Sequence, residues 1–163
     1  RYENSAEHSW HLTLYALVLA DQAGPGVDLT LVIKMLILHD LVEIDAGDNP
    51  IFGDHDIAQM EALEQAAADR IFGLLPDDLR DEMRAIWEEF EAAQSPSAQF
   101  AKSLDRFQPP MQNLQSGGGS WTEFNVTQDQ IADRVGSKIA IGAPRLWDYA
   151  KQRIAVFFAA VDK

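Results

Sequence analysis

Residues 34–48 read KMLILHDLVEIDAGD. Met35, Leu36, Ile37 and Leu38 form an apolar run suited to a core. His39 and Asp40 follow at once, and Glu43, Asp45 and Asp48 come soon after. Unpaired charge is costly to bury, and a group that cannot meet the cost shifts its pKa until the charge is gone. A histidine and four carboxylates beside a core-seeking run therefore need compensation. Partner side chains, solvent or a metal ion could supply it.

The chain has 163 residues, which fits one domain spanning 1–163 with a core of its own. Apolar residues make up 47%, but no apolar window is long enough for a membrane span. There is no cysteine, so disulfides and thiolate zinc sites are out. The chain opens at Arg1 with no signal segment, so upstream residues are expected to have been lost and a cytoplasmic home is the default. The net charge of −13 repels nucleic-acid backbones and acidic membranes. A phosphate compound would need positive charge concentrated where it binds, and a metal ion supplies that compactly. Solubility alone is the other account of the acidity.

The pattern predicts an all-α bundle of six to seven helices. The first runs from Ser5, its expected cap, to about Ala23, and Gly24-Pro25-Gly26 ends it. Asp28 caps a second through about Asp45, closed by Gly47 and Pro50. A third covers about Asp54–Leu74 with Ile57, Met60, Leu63 and Ala67 on one stripe. A fourth opens after Pro76, with acids in its first turn. A fifth starts at Ser95-Pro96, and Pro109-Pro110 should kink or end it. SGGGS at 116–120 is expected to be a flexible break, followed by helices over about 127–141 and 144–161. The last carries a wide apolar stripe from Trp147 to Val161, for packing or for a subunit interface.

On the second helix Leu36, His39, Asp40 and Glu43 fall at i, i+3, i+4 and i+7, all on one face. His39 and Asp40 can serve one point only if that point is close, as a metal at about 2.0–2.2 Å would be. Two ligands are too few. His8 and His11 sit one turn apart near the chain start, and Asp105 lies near Ala98, Ala101 and Leu104 on an inward face. Histidine, histidine-aspartate and aspartate on separate helices would close a cage of two imidazoles and two carboxylates.

That order resembles the HD-domain superfamily of metal-dependent phosphohydrolases. The stretches RYENSAEHSW, LILHDLVEIDAGD and LLPDDLRDEMRAIWEEFEAAQSPSAQFAKSLDRFQ are similar to its 5′-deoxynucleotidase branch, the HD-domain-containing protein 2 type, over about residues 1–115. The resemblance implies an HD-fold domain, with helices about 127–161 following the Gly-rich loop. It implies His8, His39, Asp40 and Asp105 as ligands of one divalent ion. It implies Glu43 as the residue that orients or deprotonates the attacking water, and Asp48 near the leaving group or a sugar hydroxyl. Arg1 matches an arginine that begins the same motif, as a substrate contact. A further arginine upstream in bacterial relatives has no counterpart here. The Pro109-Pro110 pair departs from the expected pattern and could move the pocket wall. The family's habit of pairing makes a homodimer the expected assembly.

The residue types suit the chemistry. Two neutral imidazoles and two carboxylates balance a divalent charge and leave positions for water and phosphate. Such mixed donors suit cobalt, manganese, iron, nickel or zinc, with magnesium also possible, better than calcium. Glu43 lies four residues after His39, about 6 Å along a helix axis, a distance suited to a base. Lys102, one turn before Asp105, either meets the phosphate or neutralises the acidic cluster. Each residue also has a plainer role. His39 and Asp40 could be an internal hydrogen-bonded pair, and His11 a packed or surface histidine. His55-Asp56 is a second HD dipeptide in a polar loop, where Asp54 or Asp56 would cap a helix.

The expected activity is hydrolysis of 5′-deoxynucleoside monophosphates. Hydrolysis of a triphosphate or alarmone-like nucleotide is the alternative within the superfamily, although a larger substrate needs more basic residues. A dinuclear site is disfavoured with four histidines in the chain. An idle helical dimer that binds a nucleotide or partner is the alternative of another class, and it would have no need of Glu43 and Asp48.

Overall fold

The structure is a computed structural model that describes residues 3–48, 51–53 and 56–161, with the Ile57 side chain left out. Arg1, Pro50, Asp54 and His55 lie outside the described residues. Within them the chain is helical with no strand, as the pattern predicts.

Helix α1 is Ser5–Val18. Its cap is Asn4 rather than Ser5: the Asn4 side chain accepts from Glu7 N at 3.0 Å, and Glu7 accepts in return from Asn4 N. It stops five residues short of the expected end, and a 3₁₀ turn at Ala20–Gln22 takes over. Helix α2 is Leu29–Leu38, capped by Asp28 as expected through Thr30 N at 2.8 Å. It buries Val32, Met35, Leu36 and Leu38. The single long second helix is not what forms. The chain tightens to 3₁₀ at His39–Val42 and then makes one short turn, α3, Glu43–Ala46. Gly47 ends it at φ +82°, a left-handed conformation that costs glycine least.

Helix α4, Ile57–Phe72, is capped by Asp56 through Gln59 N. Its buried line is Ala67, Ala68 and Phe72, and Leu63 faces out, so the expected stripe is turned by about one position. Helix α5, Asp77–Ala92, buries Ile86, Trp87 and Phe90. Helix α6, Pro96–Gln115, is the central element and touches α1, α2 and α5.

Contrary to expectation, α6 runs through Pro109-Pro110. Each proline removes one helical donor and crowds the carbonyl four residues back, at a cost of about 3 kcal/mol. Phe107, Gln108, Pro110 and Asn113 are buried on the same helix, and their packing holds it together across the pair.

The SGGGS segment is an ordered turn, not a flexible break. Asn113 grips it: Ser120 N donates to Asn113 Oδ1 at 3.1 Å, and Gly118 N to the Asn113 carbonyl at 2.8 Å. A short turn, α7 (Ser120–Glu123), follows and buries Trp121 against Phe157 and Phe158. Next come α8 (Gln128–Ile131), a π-turn at Ala132–Gly136 and α9 (Ser137–Gly142), close to the expected sixth helix. Helix α10, Pro144–Val161, buries Leu146, Ala150 and Ile154. Its stripe packs inward except at Val161, which is exposed. One buried cluster joins residues from Leu12 to Ile154, so the C-terminal helices share the core of the first 115 residues.

Candidate metal and catalytic site

The polar site sits where α1, the end of α2 and α6 meet. Leu12 and Ala16 bury one face of α1, which sets His8 toward α6. The apolar face of α2 drives its last turn into the core and carries His39 in with it, to 6% exposure. Ala98, Ala101 and Leu104 anchor α6 and aim Asp105 at both histidines.

His8 Nε2 lies 3.2 Å from Asp105 Oδ1. His39 Nε2 lies 3.8 Å from the same oxygen and 2.8 Å from Asp40 Oδ1. One atom from each of His8, His39 and Asp105 falls within 4.8 Å of the others. Asp40 joins through its contact with His39. His8, His39 and Asp105 therefore converge on one point, with Asp40 beside them against His39 Nε2.

The donor chemistry fits a cation there. His39 Nδ1 donates to the Leu36 carbonyl at 3.0 Å, so its lone pair resides on Nε2. That Nε2 is buried and makes no hydrogen bond. The Asp40 oxygen at 2.8 Å is close but off the line of a ring N–H. An acceptor nitrogen thus faces two carboxylate oxygens, an arrangement that a cation between them would satisfy.

The charges respond to one another. Burial opposes a charged His8, but the Asp105 hydrogen bond and the charges of Asp105 and Asp40, with help from Glu3, outweigh it and raise its pKa to about 9. Burial also opposes the Asp105 carboxylate. The His8 hydrogen bond and the charges of Arg106, His39 and Lys102 overcome that and hold Asp105 well below the usual carboxylate range.

Glu43 sits at the exit of the 3₁₀ turn, and its N–H donates to the Asp40 carbonyl. Side chains three apart eclipse in that geometry. Asp40 and Glu43, three apart, both line the cleft. Burial, then repulsion from Asp40, Asp48 and Asp105, raises its pKa to about 8 against the pull of His8.

Asp48 is exposed at the rim, just after the Gly47 turn, and lines the same cleft of ≈ 2650 Å³. Asp45, in the same motif, turns away to pair with Arg70. Lys102 is held by both oxygens of Glu91 at 3.1 Å and lies 4.1 Å over the Phe90 ring. The expected contact at Arg1, and His55, lie outside the described residues. His11 is half-buried and touches Gln108 and Tyr15, as a packed histidine would.

Four residues were missed on the sequence. Glu3 contacts the free ring nitrogen of His8, and Gln108 and Gln112 both donate to Glu3. The signal was there: Asp105, Gln108 and Gln112 recur at helical spacing on one face of α6. Arg106 is the fourth. Its Nε lies 3.5 Å from Asp105 Oδ2 at the cleft wall.

Comparison with known proteins agrees with this geometry. A family model described as an HD domain matches residues 1–147, past the first 115 where the resemblance was expected to stop. The chain belongs to the HD-domain family. A crystal structure titled a predicted metal-dependent phosphohydrolase, from Magnetospirillum magnetotacticum MS-1, superposes with a TM-score of 0.91 at 41% identity, covering 98% of this chain and 81% of that one. The 5′-deoxynucleotidase HDDC2 of Danio rerio is 30% identical over 132 residues, 78% of this chain and 64% of that protein. The 5′-deoxynucleotidase of Shewanella oneidensis is 27% identical over 139 residues, 80% of this chain and 71% of that protein. The chain thus spans about two thirds of the Danio rerio relative, and half of the human HDDC2.

Proposed function

We propose that this chain is a phosphohydrolase that uses one divalent cation to cleave 5′-deoxynucleoside monophosphates. One observation carries the proposal: the buried, bond-less His39 Nε2 faces Asp40 and Asp105, with His8 on the far side of Asp105. His8, His39, Asp40 and Asp105 would hold the ion. When bound, it would lower the pKa of water and polarise the phosphoryl oxygen. Glu43 is the residue placed to take the proton from the attacking water. Its carboxylate form, disfavoured by the surrounding acids, is restored by positive charge nearby. Asp48, at the rim, is assigned to the leaving-group side of the cleft, where the departing 5′ oxygen takes up a proton from solvent as the P–O bond breaks. Arg1 and Lys102 are assigned to substrate binding, with Lys102 first having to leave Glu91.

The substrate class rests on the relatives named 5′-deoxynucleotidases. A triphosphate is less well served. Of the four cleft cations among the described residues, Lys102 is engaged by Glu91, Arg145 by the Asp21 carbonyl and Arg106 by Asp105, and Arg153 lies over the Tyr149 ring. We further propose one domain over 1–163, acting as a homodimer in the cytoplasm on small nucleotides rather than on nucleic acid or membranes. The exposed row Trp10, Leu14, Leu17 and Val18 on α1 supports pairing, the net charge disfavours polyanions, and free nucleotides are a cytoplasmic pool. No described helix is long and apolar enough to cross a membrane.

The test is phosphate release from a panel of nucleotides, after chelation and separate return of cobalt, manganese, magnesium and zinc. Monophosphates should be cleaved, and His39→Ala and Glu43→Ala should abolish cleavage. Metal binding with no turnover on any nucleotide would overturn the proposal.

A further inference from the structure

We infer that Glu3, clamped by Gln108 and Gln112, is the positioning residue that fixes the orientation and tautomer of His8. The inference rests on the proposed metal site and deepens it. Glu3 Oε2 lies 3.1 Å from His8 Nδ1. Gln108 Nε2 lies 2.8 Å and 3.1 Å from the two Glu3 oxygens, and Gln112 Nε2 lies 2.8 Å from Oε1. Two amide groups from one face of α6 thus hold a carboxylate from the other side of the cleft.

The chemistry has a direction. A carboxylate only accepts, so the His8 nitrogen that meets it carries the proton. A neutral imidazole has one N–H and one lone pair. With Nδ1–H given to Glu3, the lone pair falls on Nε2, the nitrogen facing Asp105 and His39. Histidine ligands that give their second ring N–H to a carboxylate gain both basicity and a fixed ring plane.

The clamp also explains an otherwise odd burial. Gln108 is 1% exposed, which is costly for an amide. Its Nε2 contacts are with Glu3 and with His11 Nδ1 at 3.1 Å. Reversing the amide would set its oxygen against the Glu3 carboxylate, so Glu3 fixes the amide as the amide fixes Glu3. Asp105 comes from the same face of α6 one turn earlier. One helix therefore supplies an expected ligand and also braces the carboxylate behind a second one.

The test uses the full chain, with cobalt(II) alone as the probe. Wild type and Glu3→Gln are titrated while the cobalt d–d absorption is followed. Glu3→Gln keeps the size but turns an N–H toward the amide donors. It should bind ~10–100-fold more weakly, with a changed band shape. Glu3→Asp, shorter by one methylene, should recover part of the loss. In the zinc-loaded protein with ¹⁵N-labelled histidine, wild type should show a slowly exchanging His8 Nδ1–H that Glu3→Gln lacks. Equal affinity and an unchanged spectrum in Glu3→Gln would overturn the inference and leave the hydrolase proposal standing. A wild type that binds no cobalt would overturn both. Should Glu3→Gln misfold by circular dichroism, Gln112→Met, which removes one brace, must still weaken cobalt binding several-fold.

Discussion

His8 lies between two carboxylates, Glu3 and Asp105, and without metal this favours the doubly protonated ring. Its pKa of about 9 lies above the ordinary 6.5. A raised histidine stabilises the fold fully below about pH 6.5 and loses that stabilisation as pH rises through about 9. The shift corresponds to about 3 kcal/mol for the His8–Asp105 pair counted once. Glu43 adds to the trend. Its raised pKa makes ionisation costly, so the metal-free protein loses stability between about pH 4.5 and 8. Chelator-treated protein should therefore melt at a lower temperature at pH 9 than at pH 6, by calorimetry. A melting temperature that rises over that range would contradict these charges. The catalytic assignment has its own check. Glu43→Gln should keep metal affinity within a few-fold and cut kcat by roughly 10²–10⁴. A parallel loss of metal affinity would make Glu43 a ligand instead.

Among the elements, close helix contacts carry the strictest steric demands. A Cβ placed on Gly136 would collide with the Trp147 ring, and one on Gly142 with the Gln99 carbonyl. These glycines let the 128–142 segment lie flat on α10 and α6. Gly136→Ala should cost about 1–3 kcal/mol by overpacking, read as a drop in denaturant midpoint at constant slope. An unchanged midpoint would mean that Trp147 can step aside. Elements also separate what was legible from what was not. The apolar period and the Asp28 and Ser95 caps set the starts of α2 and α6 correctly, because caps act over three residues. The passage of α6 through Pro109-Pro110 was not legible. Local rules count two lost donors, whereas Phe107 belongs to the core and packs on Tyr15 and Tyr149, distant in sequence.

For the molecule as a whole, charge decides how substrate arrives. A nucleotide approaches a chain of net charge −13. The long-range field repels it, and only the site itself attracts. Raising ionic strength from about 0.02 to 0.2 M shortens the screening length several-fold. The proposed activity should then show kcat/KM rising about two- to five-fold with salt, until the local attraction is also screened. A steep fall would mean that the cleft potential, with Arg106 and Lys102, already outweighs the net charge.

Residue types and their spacing were enough for the all-helical class and for singling out His8, His39, Asp40 and Asp105 as candidates, because histidine and aspartate beside Leu36 and Leu38 need compensation for their burial. Three things depended on how the helices pack. One is the 3₁₀ tightening at His39–Val42, which separates α2 from the short turn that carries Glu43. Another is the gripping of the SGGGS turn by Asn113. The last is the arrival of Glu3 beside Gln108, 105 residues away in sequence. A hydrogen bond forms between atoms in reach of each other, and reach across so long a separation is fixed by the fold and not by neighbours along the chain.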